Sequence, residues 1–453
     1  MERHTKRVML GCLGGGVVAS ALARPGPAGA GGEPGDPMRP VVAWIDRHAV
    51  PLATTDPGAP LDDLNPLRHV AGSAEVVGLG EATHGSRELF RIKHRLVRFL
   101  VEHMGVRTVA FEEDFAGGVL LDRYVVTGEG DPRQLLADSA SPFWASEEIL
   151  DLLRWMRAFN HTREDKVRFL GTDAIVLREL SFEEVSGYVR RVAPERLEEL
   201  ERDLDQVRPM RSRFEHLQWY FQRSEAEKQQ LIESARRVSR LVHGLPATAP
   251  RLEREYARQH ARTILGWYET YAVEQRLVRE RFIADTITWW QDIVGARIVY
   301  WAASAHTTAA SMMRLTVAGE EGPPAPYAGG YLRERLGRRY VSIGTVFHSG
   351  AINSGYAPPA PHPIGPPAPG LVDATLGEAR RPDYLLDLHA PAAGPVQAWR
   401  NGPATMRMIH PMYAAGQDPS GYTMAVDSLL GAFDVLVHLR TTTPSRLFPW
   451  TPR

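Results

Sequence analysis

Three short apolar runs in this 453-residue chain each end on ionisable groups. VVGLGEATHGSRELF (76–90) holds Glu81 and His84 in a glycine-rich turn. VRTVAFEEDF (106–115) ends in Glu112, Glu113 and Asp114, and ARIVYWAASAH (296–306) ends in His306. An imidazole, with an ordinary pKa near ~6.5, can take a proton from water or a hydroxyl and return it to a leaving group. A strand that ends in a glycine-rich turn and feeds a helix is where α/β proteins place reactive groups. Three such ends point to one site.

His84 is the centre of that expectation. Glu81 lies on the same turn. Glu112, at the end of a neighbouring strand, could orient His84 or act as the base itself. The competing structural roles are a helix cap for Glu81 and an arginine pair for Glu112. His306, flanked by Ser304 and Thr307, could hydrogen-bond a substrate oxygen or polarise a carbonyl, or be a satisfied structural histidine. Asp173, in LGTDA, ends another strand and either backs the site or organises its own turn. Arg87, Arg91, Lys93 and Arg95 follow the first turn. One of them could neutralise developing negative charge or bind a substrate carboxylate, although helical spacing turns only some inward. The expected catalytic set is His84, Glu81, Glu112 and His306, with Arg87, Arg91, Lys93, Asp173 and Ser304 on the substrate. Nothing in the spacing demands a metal, so no metal and no cofactor are expected. The sequence has no GxSxG elbow, GxGxxG, P-loop or HExxH.

These groups need rigid strand ends. DDLNPLRHVAG (62–72) predicts a helix before the strand at 76–79, and VVAWIDRHAVPL (41–52) a strand or short helix. Ser86–Met104 predicts an amphipathic helix with Phe90, Leu96, Val97, Leu100 and Val101 on its apolar face, ended by Gly105. A strand over 107–111, a helical region from Leu120, a turn at SPFW (141–144), a helix over 147–162 and a strand over 166–173 continue the alternation. The class is α/β, with a mainly parallel central sheet, flanking helices and a helical cap or insertion. Residues 180–295 are the cap, rich in Glu, Arg, Leu and Gln and broken near HGLPATAP (243–250). The catalytic domain takes 41–179 and 296–453. Strands are expected at 297–302, within 327–347 and at 433–440, and the Pro/Gly-rich 349–370 as a long loop or rim. Trp289 and Trp290 suit packing.

Residues 1–23 have the form of an export signal, with Arg3, Lys6 and Arg7 before a weakly apolar stretch and Ala21-Leu22-Ala23 at its end. Residues 24–40 form a flexible spacer. An exported protein is expected, or a cytoplasmic one if that segment is an overextended start. Cys12 is the only cysteine, which excludes an internal disulfide and a cysteine nucleophile in the mature chain. A formal net charge of -1 argues against a general nucleic-acid binder. No apolar run is long enough for a membrane span.

The chain also resembles the erythromycin esterase family. The resemblance rests on the turn Gly80-Glu81-Ala82-Thr83-His84-Gly85, on Phe90, Lys93 and Arg95, and on Gly105 before the strand to Glu112. Asp387, Arg407 and Phe433-Asp434 extend it, over about 42 to 447. It implies a cleft between an α/β body and a helical cap, and hydrolysis of a macrolide lactone by metal-independent water activation. His84 would be the general base, Glu81 and Glu112 its orienting groups, and His306 an assistant at the carbonyl or leaving oxygen. Where the family carries Trp-Ala-His-Asn-x-His, this chain has Trp301-Ala302-Ala303-Ser304-Ala305-His306. Alanine transfers no proton, so the substrate need not be a macrolide. The expected function is therefore hydrolysis of an ester or lactone in a small molecule, a macrolactone among the candidates. The alternatives are a tailoring enzyme that eliminates, isomerises or transfers in natural-product or polysaccharide metabolism, and an exported binding protein.

Overall fold

Val76–Glu81 is buried at every position, as a strand covered by helices on both faces must be. The computed structural model describes residues 37–209, 212–272, 276–355, 358–414 and 416–449. The export-like segment 1–23 and most of the spacer lie outside the described residues.

In chain order the strands are β1 (Val50–Pro51), β2 (Val76–Glu81), β3 (Val106–Asp114), β4 (Arg168–Asp173), β5 (Arg297–Ala303), β6 (Met313–Val317), β7 (Glu320–Glu321), β8 (Tyr340–Ser354), β9 (Ala360–Ile364), β10 (Tyr384–Asp387), β11 (Ala404–Arg407), β12 (Thr423–Val426) and β13 (Val435–Thr442). Nine form one sheet in the order β1-β10-β13-β8-β2-β5-β3-β4, with β9 paired to β8. From β13 through β4 every neighbour is parallel; β10 and β1 add an antiparallel edge. The protein is thus α/β with a mainly parallel central sheet. Glu112 is not on a strand adjacent to β2, however, because β5 runs between β2 and β3.

Both faces of the sheet are covered. On one, the helix Arg87–Met104 buries Phe90, Leu96, Val97 and Leu100 in a core shared with Leu79, Phe111 and Trp301. On the other, Ile283, Ile287 and Trp290 of the helix Arg276–Val294 pack on Ala110, Leu170 and Tyr300. Each such large apolar side chain contributes about 1.5–3 kcal/mol on burial. Trp290 also donates from Nε1 to Thr108 Oγ1 at 2.9 Å, a packing role like that expected of it. The helix Arg87–Met104 is well delimited. Ser86 Oγ accepts from Leu89 N at 3.1 Å, and Gly105 takes φ 72° after the last turn.

Between β4 and β5 stand the helices Glu179–Val192, Leu197–Val207, Arg213–Phe221, Glu225–Gly244, Arg251–Thr270 and Arg276–Val294. They share an apolar cluster around Phe182, Tyr220, Val238, Trp267 and Tyr268. No helix among the described residues is long and apolar enough to cross a membrane.

The segment 41–52, expected as a strand or short helix, is the helix Arg39–His48 followed by the short β1. Elsewhere the structure departs from the sequence expectations. β3 extends to Asp114, and the next helix starts at Phe115 rather than near Leu120. The Pro-rich segment 349–370 is largely a hairpin: β8 runs to Ser354 and β9 returns antiparallel to it. Pro361 and Pro363 alternate on an edge strand, so both missing N–H groups fall on one side and the ladder to β8 survives. A second, four-stranded sheet, β11-β12-β6-β7, was not anticipated.

Candidate active site

The carboxyl ends of β2, β3, β4 and β5 share one edge of the sheet, the usual place for ligands in open α/β folds. β2 delivers Glu81, and His84 follows three residues beyond it on the turn. His84 Nδ1 lies 2.9 Å from Glu81 Oε1. A carboxylate only accepts, so Nδ1 carries the hydrogen and the lone pair of neutral His84 is on Nε2. Nε2 looks toward Glu112 Oε2 across 3.8 Å. Trp144 packs edge-on against the imidazole with ring centres 4.7 Å apart. Burial lowers the His84 pKa below its ordinary value, with Glu112 opposing and His306 and Arg279 adding to the drop.

The turn is held by close backbone approach. Gly85 O accepts from Asn353 N and from Ser445 N, each at 3.0 Å. A Cβ on Gly85 would lie 2.7 Å from Asn353 N, so only glycine fits there without moving β8.

Glu112 reaches the site through an irregularity. The pairing of β3 with β4 shifts register between Phe111 and Asp114, which re-aims side chains at a strand end. Glu112 Oε2 accepts from Ala303 N at 2.9 Å; its backbone oxygen accepts from Trp144 Nε1 at 2.9 Å. Glu113 instead accepts from Ala140 N, and Asp114 caps the next helix at Gly117 N, 2.8 Å. Burial pushes the Glu112 carboxyl up, but His306, His84 and Arg279 outweigh it and hold it well below the usual carboxylate range.

His306 stands between two carboxylates. Nδ1 is 2.9 Å from Glu280 and Nε2 is 3.2 Å from Glu112 Oε1. Two acceptors on one ring require two N–H donors, hence an imidazolium. Burial works against that charge, but Glu280 and Glu112 prevail and push the pKa up to about 10. The two histidines are driven apart: His84 is the neutral one and His306 the charged one, the separation that assigns base and acid roles in enzymes.

The residues expected to bind substrate are placed as follows. Lys93 is fully buried beneath the turn; its Nζ contacts Glu81 Oε2 and donates to Ala302 O at 3.1 Å. Arg87 pairs with Glu148, and Arg91 with Asp56 at 3.1 Å, both off the cavity wall. The helix leaves the turn at about 1.5 Å per residue, so its outer face carries these arginines away. Arg95 is buried on Asp63 at 2.7 Å. Asp173 lies behind the wall and accepts from Arg279 at 2.6 Å. Ser304 is buried under the strand ends, its Oγ 2.7 Å from where a Cβ on Gly80 would sit. None of these lines the cavity, whereas His84, Glu112 and His306 do, and Glu81 holds His84 from behind.

Four further groups were not anticipated. Arg279 and Glu280 open the last cap helix. Arg279 Nη2 is 3.5 Å from Glu112 Oε1, and Glu280 holds His306. Trp144 was read only as part of a turn. His410, on the loop after β11, also lines the cavity. Helical spacing alone carries no sign that Arg279 and Glu280 meet strand ends. The cavity measures about 380 Å³, within the range of small-molecule sites. Its charged wall residues are Glu112, Arg279, Glu280 and His306; its outer wall includes Leu217, Phe221, Leu315, Val317 and Met412.

A parallel α/β body, a helical cap and a buried pair of oppositely tuned histidines define a cleft enzyme. The chain belongs to the erythromycin esterase family, whose model matches residues 101–442. The Gly80–Gly85 turn lies just outside that match. An erythromycin esterase type II from Escherichia coli is 33% identical over 130 residues, 29% of this chain and 30% of that protein. A Bacillus subtilis protein, YbfO, named as a hydrolase, is 25% identical over 76% of this chain and 80% of its own. Among solved structures, a Bacillus cereus protein superposes with TM-score 0.80 at 28% identity, over 91% of this chain and 99% of that one. A succinoglycan biosynthesis protein gives 0.76 at 29% identity over the same shares. The erythromycin esterase EreC, as a mutant in an open conformation, gives 0.69 at 15% identity over 88% and 99%, a likeness of fold alone. These relationships support a hydrolase.

Proposed function

We propose that the protein hydrolyses an ester or lactone with water activated at His84. The observation that carries this is the bond from His84 Nδ1 to Glu81, which leaves the Nε2 lone pair facing Glu112 across 3.8 Å. That gap suits a bridging water. His84 Nε2 takes a proton from water as its oxygen bonds to the acyl carbon, and the carbonyl π pair moves to the acyl oxygen. When the tetrahedral adduct collapses, the C–O bond to the leaving oxygen breaks and that oxygen takes the proton from His84. Glu112 accepts from the water, and Glu112 and Glu280 hold His306 in place. Every step uses side chains of the chain itself and balances without a cofactor.

The outer wall supports a neutral substrate with an apolar body, since the charged groups gather at the reacting end. A macrolactone has that form, and it is the substrate class in the name of the Escherichia coli erythromycin esterase type II, whereas the succinoglycan biosynthesis protein is named for a polysaccharide. A polysaccharide would meet few polar partners on that wall. Ala303 contributes a backbone N–H to Glu112 and no proton carrier, so proton transfer falls to His84.

The test is incubation with macrolactones and simple lactones in heavy-oxygen water. One labelled oxygen in the product supports hydrolysis; an unchanged mass indicates isomerisation and overturns it. The pH profile has a defined sign. Activity needs neutral His84 and is lost below pH 6.5, as pH falls through a pKa held under that value. As pH rises through about 10 His306 loses the charge that pairs with Glu112, and activity falls there too. The stabilisation from the His306 ion pairs is likewise complete below 6.5 and lost as pH rises through about 10. Initial rates of lactone opening against pH check this, and an alkaline limb near neutrality would contradict it.

A further inference from the structure

His410 lies on the cavity wall, on a loop stapled to the His84 turn. Ile409 N donates to Ala82 O at 2.8 Å, and Gly355 N donates to Pro411 O at 2.7 Å. The first bond ties the loop to the residue after Glu81; the second ties it to the β8–β9 hairpin. Within the loop, Met412 N donates to His410 Nδ1 at 3.1 Å. A ring nitrogen that accepts carries no hydrogen, so neutral His410 must hold its hydrogen on Nε2. Burial, with the positive charges of Arg279 and His306 adding to it and Glu112 opposing, keeps the ring neutral, its pKa pushed down to about 4. No acceptor for Nε2–H occurs among the described residues.

Most other candidate donors at the reacting end are engaged. Both nitrogens of His306 face carboxylates. Arg279 is bound through Nε and Nη2 to Asp173, behind the wall, which leaves only its Nη1. Glu112 and Glu280 can only accept while ionised. An acyl oxygen that gains negative charge in this cavity needs a donor that is fixed and uncommitted.

We propose that His410 is a further catalytic residue, donating its Nε2 hydrogen bond to the substrate's acyl oxygen as water adds. The hydrogen stays on His410 throughout; only the charge on the oxygen changes. A neutral imidazole suits this role because it stabilises the oxyanion without surrendering a proton. The role rests on the hydrolytic reading above, so its test separates the two.

With a lactone that the enzyme opens, His410→Ala should lower kcat about 10²- to 10³-fold, as removal of one oxyanion donor does, with little change in KM. Glutamine places an N–H near the same position, so His410→Gln should recover at least about tenfold over alanine. The acid limb set by His84 should remain in both variants. Full kcat in His410→Ala, or no advantage of glutamine, overturns the proposal. A second measurement needs no turnover. In nitrogen-15 spectra of histidine-labelled protein, the resonance missing from His410→Gln should show a neutral ring protonated on Nε2. Phenylphosphonate monoester, a tetrahedral anion, should shift it. The opposite tautomer, or no shift when the anion binds, overturns the role of His410. Failure of the wild type to open any lactone would instead count against hydrolysis, leaving this spectrum to decide the donor.

Discussion

Replacing His84 with alanine should lower kcat/KM for an opened lactone by a factor of about 10³ to 10⁴, the upper range for loss of a positioned general base. That corresponds to about 4–5.5 kcal/mol of transition-state stabilisation. The size follows from the geometry. His84 is the cavity imidazole with an unprotonated nitrogen beside Glu112 and a carboxylate fixing its tautomer. His306 cannot substitute, because its nitrogens already serve two carboxylates. Glu81→Gln should cost activity to a similar order. The glutamine amide can donate to Nδ1, which would place the ring hydrogen on Nε2 and block the base. Steady-state kinetics on the purified variants, with thermal unfolding as a check on folding, decides the matter. His84→Ala activity above a tenth of wild type would remove His84 from the chemistry.

The second large effect is on stability. Lys93→Met should destabilise the fold by about 3–5 kcal/mol, the usual cost of removing one partner from a buried ion pair. Lys93 is fully buried, touches Glu81 Oε2, donates to Ala302 O and stacks 4.3 Å from the centre of the Trp301 ring. Methionine fills similar space but leaves Glu81 charged and without a cationic partner. Burial pushes the Lys93 ammonium well below its ordinary range, with the charge of Glu112 opposing. Lys93→Met combined with Glu81→Gln should regain much of the loss, because the double variant buries no unpaired charge. Denaturant midpoints of the single and double variants give the comparison, and a single-variant loss under about 1 kcal/mol would contradict a buried ion pair.

What the sequence made legible was local. The alternation of apolar strands and amphipathic helices defines the parallel sheet, and the ionisable groups at three strand ends meet at its carboxyl edge. His84, Glu112 and His306 could be collected this way because a strand end fixes position within one or two residues. Arg279 and Glu280 could not, since they open a cap helix whose docking is decided by apolar contacts far along the chain. The charges after the first turn misled for a related reason. Spacing alone does not distinguish the outward Arg87 and Arg91 from the inward Lys93. The second sheet, whose strands are only two to five residues long, carries too short a pattern to register, and His410 follows directly from it.

The last cap helix is both wall and machinery. Its first turn supplies Arg279 and Glu280, while Ile283, Ile287 and Trp290 anchor it on the sheet. The apolar lining from Leu217 and Phe221 comes from a different helix, Arg213–Phe221, with no hand in the ion pairs. Selectivity and reactivity are therefore separable along the chain. On the proposed mechanism, variation over 213–221 would retune which molecules enter while the proton-handling groups keep their places, whereas drift at 279 and 280 would strike the reaction itself. A lineage built on this plan is free to diversify its diet before it risks its chemistry.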